Sequence, residues 1–499
     1  MSRWILALAL LVPLRAFADE TANPIDRYFE KQWKEKGVTL AARSSDDEFL
    51  RRATLDILGR PPRPAEVHAF EKSRDRDVKI DELLASEEAA DFFADEWLGI
   101  LIDDRFDETL PLRVNVSLFR GFLKKAWQDD VPYSQLVSEL VSASGDATKH
   151  PAANYLLAAL DPKEPPYELA SRTARIFLGK QIQCARCHDH PYDKLSQKDF
   201  WAFTAFFSGT TSKARTTFDG YGVKVTDEPA RAIKIPDTET EVAPRFLDGN
   251  APEPSKRPRE ELARFVTSSP RLARALVNRV WTHFMGRGFY AAVDRVAGTC
   301  EHEPLLDALC AEFTDAKTSL HHLARTIVRS RAYQLSCEGD PADYGAMALK
   351  PQSPVQLLNT LTWALGLDVF LKQLYEQFLG NKALPEQYRQ DAVFRRYLVE
   401  YVRKLDQGGG VRLALKLANG KDLQGLVNIN WGRLKEIAAE TRGENERLGA
   451  IFVTLLGRAP TAEETARYRA YLEKRHFTDR AWEDVYWTVL NSTELLFNH

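Results

Sequence analysis

The chain has 499 residues and is 44% hydrophobic, enough for two or three domains with cores of their own. Its 68 lysines and arginines nearly balance 71 aspartates and glutamates, a formal charge of −3, and no basic block is present, which argues against nucleic acid as a partner. Five cysteines are too few for a disulfide scaffold at this length, and an odd number means at least one does something other than pair within the chain.

The first element in chain order is a targeting segment. Residues 1–18 read as a signal peptide: Arg3 supplies the positive start, Trp4 to Leu14 the apolar stretch, and Ala16-Phe17-Ala18 the small-residue cleavage pattern before Asp19. Pro13 and Arg15 make the apolar run too short for a membrane anchor. The mature protein is therefore expected to be soluble and exported, to the periplasm or cell envelope.

Amphipathic helices follow. Phe49, Leu50, Ala53, Leu55, Ile57 and Leu58 recur near helical spacing, with Asp46 and Asp47 suited to the helix start. Ahead of the first cysteine, Leu169, Thr173, Ile176 and Phe177 share one helical face. Just after the cysteines, Lys198 to Phe207 form an aromatic helix better suited to core packing than to a cofactor box. From about Lys213 the period changes: Val223 and Val225, then Ile233 and Ile235, alternate between Gly and Pro turns. The division expected is an N-terminal helical domain over 26–212, a small β element and linker over 213–257, and a C-terminal helical domain over 258–499. The fold class is thus mainly α, two helical domains with a small β insertion between them.

An internal repeat links the two ends. Leu50, Gly59, Arg60, Pro62, Glu66 and Phe70 correspond to Leu448, Gly457, Arg458, Pro460, Glu464 and Tyr468. In the second copy Gly457 can end one helix in the left-handed conformation, and Thr461 with Glu464 forms a capping box for the next. The first copy has Arg63 at the cap position, followed by Pro64, which suits a first helical turn. A reused helical hairpin explains each matched residue type.

The chemistry-bearing stretch is CARCHDH, Cys184 to His190. Cys-x-x-Cys-His is the attachment pattern of c-type haem: Cys184 and Cys187 can reach the two vinyl groups, and His188 then lies under the iron. Attachment outside the cytoplasm agrees with the signal peptide. Other readings stay open: Cys184, Cys187 and His188 or His190 as ligands of zinc or another divalent metal, a redox dithiol, a strained disulfide, or an inert turn. If haem is bound, a sixth ligand is the next question: His283 and Met285 in WTHFMGRG are candidates, Met347 being the only other internal methionine, and a vacant position would favour small-molecule or peroxide chemistry over electron transfer. His190 is too close in sequence to reach the opposite face and suits a supporting role or a separate metal. Arg279, with Asn278 and Trp281, lies on a helix ending near Gly286 and can pair with an acid, a haem propionate or helix ends. The pairing of Cys300, Cys310 and Cys337 is left open. No catalytic residues are legible.

FLGKQIQCARCHDHPYDKLSQKDFWAFTAFF resembles the signature of an exported planctomycete-type domain family associated with cytochrome c domains. RLARALVNRVWTHFMGRGFYAAVDR, LHHLARTIVRSRAYQLS and the closing LNSTELLFNH resemble the C-terminal domain that accompanies it. Cys184, Cys187, His188, His190 and Pro191 fall on the first signature, and Asn278, Arg279, Trp281, Gly286 and Gly288 on the second. The resemblance spans about residue 26 to 499, and both domains are of unknown function. It implies company with exported sulfatase-like or redox proteins and polysaccharide-degradation systems. Arg295 stands after Asp294 where a second acid is common, which argues against an acidic-pair mechanism there. The expectation is an exported protein holding one covalent c-type haem for redox or electron transfer; the alternatives are a zinc-like metal protein or a purely structural interaction protein.

Overall fold

The computed structural model describes residues 23–102, 113–161, 164–217, 220–253, 255–367, 424 and 427–499. The signal segment 1–18 lies outside them. The fold is 59% helical, and among the described residues the sheets have two or three strands, so the mainly α expectation holds. Among the described residues no helix is long and apolar enough to cross a membrane.

Local chemistry sets the helix ends. Helix Asp46–Leu58 starts where Ser45 Oγ accepts from Glu48 N–H at 3.1 Å, with three acids in the first turn opposing the helix dipole, and stops at Gly59, φ 69°. Helix Tyr167–Leu178 buries Leu169, Thr173, Ile176 and Phe177 and ends at left-handed Gly179. Helix Gln197–Thr204 opens with a reciprocal Ser196–Asp199 capping box and passes into a 3₁₀ turn at Ala205–Phe207. Phe200, Trp201, Phe203, Phe206 and Phe207 of this stretch are all buried, as core packing requires.

The β element is a hairpin, Thr210–Thr217 paired with Gly220–Asp227 in the register Thr211 opposite Thr226. Gly145–Asp146, which the periodicity did not mark, adds a short third strand against Gly220–Asp227. Two further short strands, Ile233–Lys234 and Glu241–Val242, pair with each other. Helices resume at Pro258–Ser268.

Packing on the two sides of this β segment is continuous. One apolar cluster runs from Ile25 to Met347 and includes Val223 and Val225 of the hairpin together with Leu262, Val266 and Trp281. Fully buried Arg259 ties three segments, its Nε donating to Asp227 at 2.9 Å and its Nη1 to the carbonyls of Val141 and Ala143. A second cluster starts at Leu357 and is built from residues up to Leu496. The two clusters are joined by an antiparallel pair, Lys350–Pro351 with Phe497–Asn498.

Candidate functional site

Between helices Tyr167–Leu178 and Gln197–Thr204 the cysteines occupy their own 3₁₀ turn, Gln183–Arg186. Ile182 and Ala185 are fully buried and anchor it, which turns Cys184 and Cys187 outward, exposed and unpaired. The following helix grips the turn's backbone. Trp201 Nε1 donates to the Arg186 carbonyl at 3.1 Å, Gln197 Nε2 donates to the carbonyls of Arg186 and Cys187 at 3.1 Å each, and Gln197 N–H reaches Asp189 Oδ1 at 2.8 Å. Arg186 lies 4.5 Å over the Tyr167 ring, and its guanidinium is pushed above its ordinary value chiefly by a hydrogen bond with Cys187.

The two histidines are set oppositely. His188 Nδ1 lies 2.7 Å from the Asp189 carbonyl, which can only accept, so Nδ1 carries the proton and exposed Nε2 keeps its lone pair. His190 Nδ1 lies 3.2 Å from the Tyr192 N–H, which can only donate, so this ring carries its proton on Nε2. His188 is therefore prepared as a ligand through Nε2 and His190 is not. Cys184, Cys187 and His188 share an open cleft of about 310 Å³ with Tyr167, Glu168 and Ser171. His190 faces a separate crevice with Lys180, Asp193, Arg271 and Arg295. Asp294, beside Arg295, is held by Gln181 at 3.0 Å and Arg175 at 3.4 Å.

The sixth-ligand candidates sit elsewhere. Helix Pro270–Met285 ends at left-handed Gly286; Met285 is buried in the first core, and His283 Nε2 donates to the Asp56 carbonyl at 2.8 Å. Neither residue lines the cysteine cleft. Among the described residues no group of three His, Cys, Asp or Glu side chains is placed to hold a metal ion. All five cysteines are free, so Cys300, Cys310 and Cys337 form no disulfide.

For a c-type haem, the attachment atoms fit: two accessible thiols and an imidazole with Nε2 directed to solvent. The walls fit only a surface position, because the cleft is lined by polar side chains and the adjacent aromatic rings pack on one another, Phe203 on Phe246 and Phe206 on Phe265 at 5.9 and 6.1 Å.

Sequence reasoning missed two groupings. Asp56 is completely buried and takes Lys350 Nζ on both oxygens at 2.7 Å, the Tyr333 hydroxyl at 2.8 Å and Asn498 Nδ2 at 2.7 Å. Lys350 also donates to the carbonyls of His283 and Phe284, and its burial lowers its pKa, opposed by Asp56. The second is a cavity of about 540 Å³ lined by Asp47, Glu48, Arg51, Arg458, Glu494 and His499, among others. Its charges are largely committed: Arg51 donates to the carbonyls of Leu455, Leu456, Glu494 and Leu495, and Arg458 pairs with Glu464 and Glu494. The one local signal for it was the repeat, whose Arg–Glu clamp recurs: Arg60 grips Glu66 through two bonds of 2.8 Å, and Arg458 grips Glu464 at 2.8 and 2.9 Å.

Two family models match the chain. PSCyt2, described as protein of unknown function (DUF1549), covers residues 24–212, and PSD1, described as protein of unknown function (DUF1553), covers residues 258–358. No curated protein and no solved structure matches it. The chain belongs to the planctomycete-type proteins that join a PSCyt2 domain to a PSD1 domain.

Proposed function

We propose that this is an exported envelope protein whose chemistry resides in the Cys184–Cys187–His188 turn, carrying one covalent c-type haem at the protein surface. The observation that carries the reading is the pairing of two exposed free thiols with an imidazole whose proton is held on Nδ1 by the Asp189 carbonyl. A haem bound there supplies one-electron transfer. Gln197 and Trp201 hold the turn so that thiols and imidazole keep their relative positions, and Tyr192, 84% exposed two residues after His190, offers an aromatic face beside the site. Redox or sulfatase-like exported proteins are the partners this role calls for. The polar lining of the cleft favours a second reading, a zinc-like ion on the same thiols with His188.

Protein matured in a host with haem-attachment machinery, unfolded and boiled, is expected to keep a peroxidase-positive band and a mass increment of one haem. Colourless protein with stoichiometric zinc that leaves on Cys184→Ser replaces the haem reading with the metal one. Protein carrying neither makes the cluster structural.

A further inference from the structure

Six helices enclose a cavity of about 340 Å³ that shares no lining residue with the cysteine cleft. This is a size usual for small-molecule sites. One wall is aromatic: Phe93 stands 5.6 Å from Trp97 and 4.9 Å from Trp127 between ring centres, and Phe92 stands beside them. Val293, 36% exposed, marks the side open to solvent.

Arg279 of helix Pro270–Met285 lines this cavity and makes no hydrogen bond or ion pair to any described residue. The residue is half-buried. The fully buried arginines of the chain differ. Arg51, Arg52 and Arg259 all donate to backbone carbonyls, which is how a buried guanidinium is ordinarily satisfied. Asp294, whose field reaches Arg279, is already held by Arg175 and Gln181.

The other acids of the cavity differ: the Glu96 charge is unneutralised by any described residue, and the Asp56 charge is paired. Glu96 accepts from the Ser353 hydroxyl, and the Asp56 carboxylate is taken by Lys350. Arg279 thus brings to the cavity a guanidinium without a hydrogen-bond partner among the described residues, forked and permanently charged, in a lining that also holds flat apolar rings. Burial lowers its pKa, the direction expected of a charge waiting for a partner.

We propose that this cavity binds a small monoanionic acid, a carboxylate on an aromatic or short alkyl skeleton, with Arg279 gripping the carboxylate and the Phe92–Trp97–Trp127 wall covering the skeleton. One guanidinium matches one carboxylate, and a dianion such as phosphate would stand half-neutralised beside the apolar rings and the Glu96 carboxylate.

The full chain, titrated with benzoate and with octanoate, tests this through tryptophan fluorescence and melting temperature, with benzyl alcohol and octanol as uncharged counterparts. The expected result is saturable quenching and a rising melting temperature with at least one acid, and binding of its alcohol roughly tenfold weaker or less. The preferred acid tells an aromatic from an alkyl skeleton. Arg279→Met is expected to lose acid binding, yet to melt above the wild type without ligand, because it replaces a half-buried guanidinium that has no hydrogen bond to a described residue with an apolar side chain beside apolar rings. Equal binding of acid and alcohol, binding of neither acid, or acid binding retained in Arg279→Met overturns the proposal. So does a melting temperature of Arg279→Met below the wild type, which would make the guanidinium a structural partner.

Discussion

At the scale of single residues, exposure separates the five thiols into two kinds. Cys184 and Cys187 face solvent, whereas burial pushes the Cys310 thiol up to about 12 and raises those of Cys300 and Cys337. Thiolate is the reacting species, so in haem-free native protein near pH 8 a thiol reagent should modify Cys184 and Cys187 first and Cys310 only on unfolding. Mass mapping of timed iodoacetamide reactions checks this; Cys310 labelled as fast as Cys184 would contradict it. Asp56 represents the opposite case, a charge with no solvent and four side-chain hydrogen bonds to Lys350, Tyr333 and Asn498. Asp56→Ala strands the Lys350 ammonium among carbonyls, and a loss of about 3–5 kcal/mol is expected in urea unfolding. Asp56→Ala combined with Lys350→Met should recover a good part of it, since no charge is then left behind.

At the scale of elements, the repeated hairpin is held by one device used twice. Gly59 and Gly457, φ 69° and 76°, turn the chain, and an arginine directly after each grips the glutamate six positions on. A Cβ at Gly457 would meet Pro62 Cγ at 2.7 Å, so Gly457→Ala adds contact strain to the roughly 1–2 kcal/mol of a left-handed L-residue. Thermal unfolding should show the loss. Glu464 is held down to about 2 from its ordinary 4.5, first by its hydrogen bond with Arg458. The unfolded chain therefore binds this proton more readily than the native one. Its stabilisation is complete above pH 4.5 and disappears as pH falls toward 2. Glu464→Gln should flatten that part of the stability–pH curve; an unchanged slope would show that the clamp carries no linkage.

For the molecule as a whole, the matched families end at 212 and resume at 258, yet one apolar cluster spans both. Phe265 packs on Phe206, Arg259 bonds the carbonyls of Val141 and Ala143, and Val296 N–H reaches the Gly179 carbonyl at 2.7 Å. A fragment ending at 257 would leave those faces open. It is expected to aggregate or to lack a cooperative transition, whereas the full chain unfolds cooperatively; calorimetry of both decides it.

What the sequence by itself determined were the features written over short spans. Helical periodicity, the glycines that end helices, the hairpin alternation and the Cys184–His188 spacing all depend on residues within a turn or two of one another. The short Gly145–Asp146 strand escaped because its partner lies about 80 residues on, at Lys224 and Val225, and two residues carry no period. Only the tertiary structure decided the rest. His283 and Met285 share a motif with Arg279 in the chain, yet the helix carries His283 to the Asp56 carbonyl and buries Met285, away from the cysteines. Asp56 meets Lys350 across 294 positions and Asn498 across 442, and nothing in the sequence around Asp56 announces either partner. The tautomer of His188 needed the position of one carbonyl, and the missing partner of Arg279 needed the whole cavity. Such groupings arise from the packing of helices that are distant in the chain, and a linear pattern carries no record of that distance.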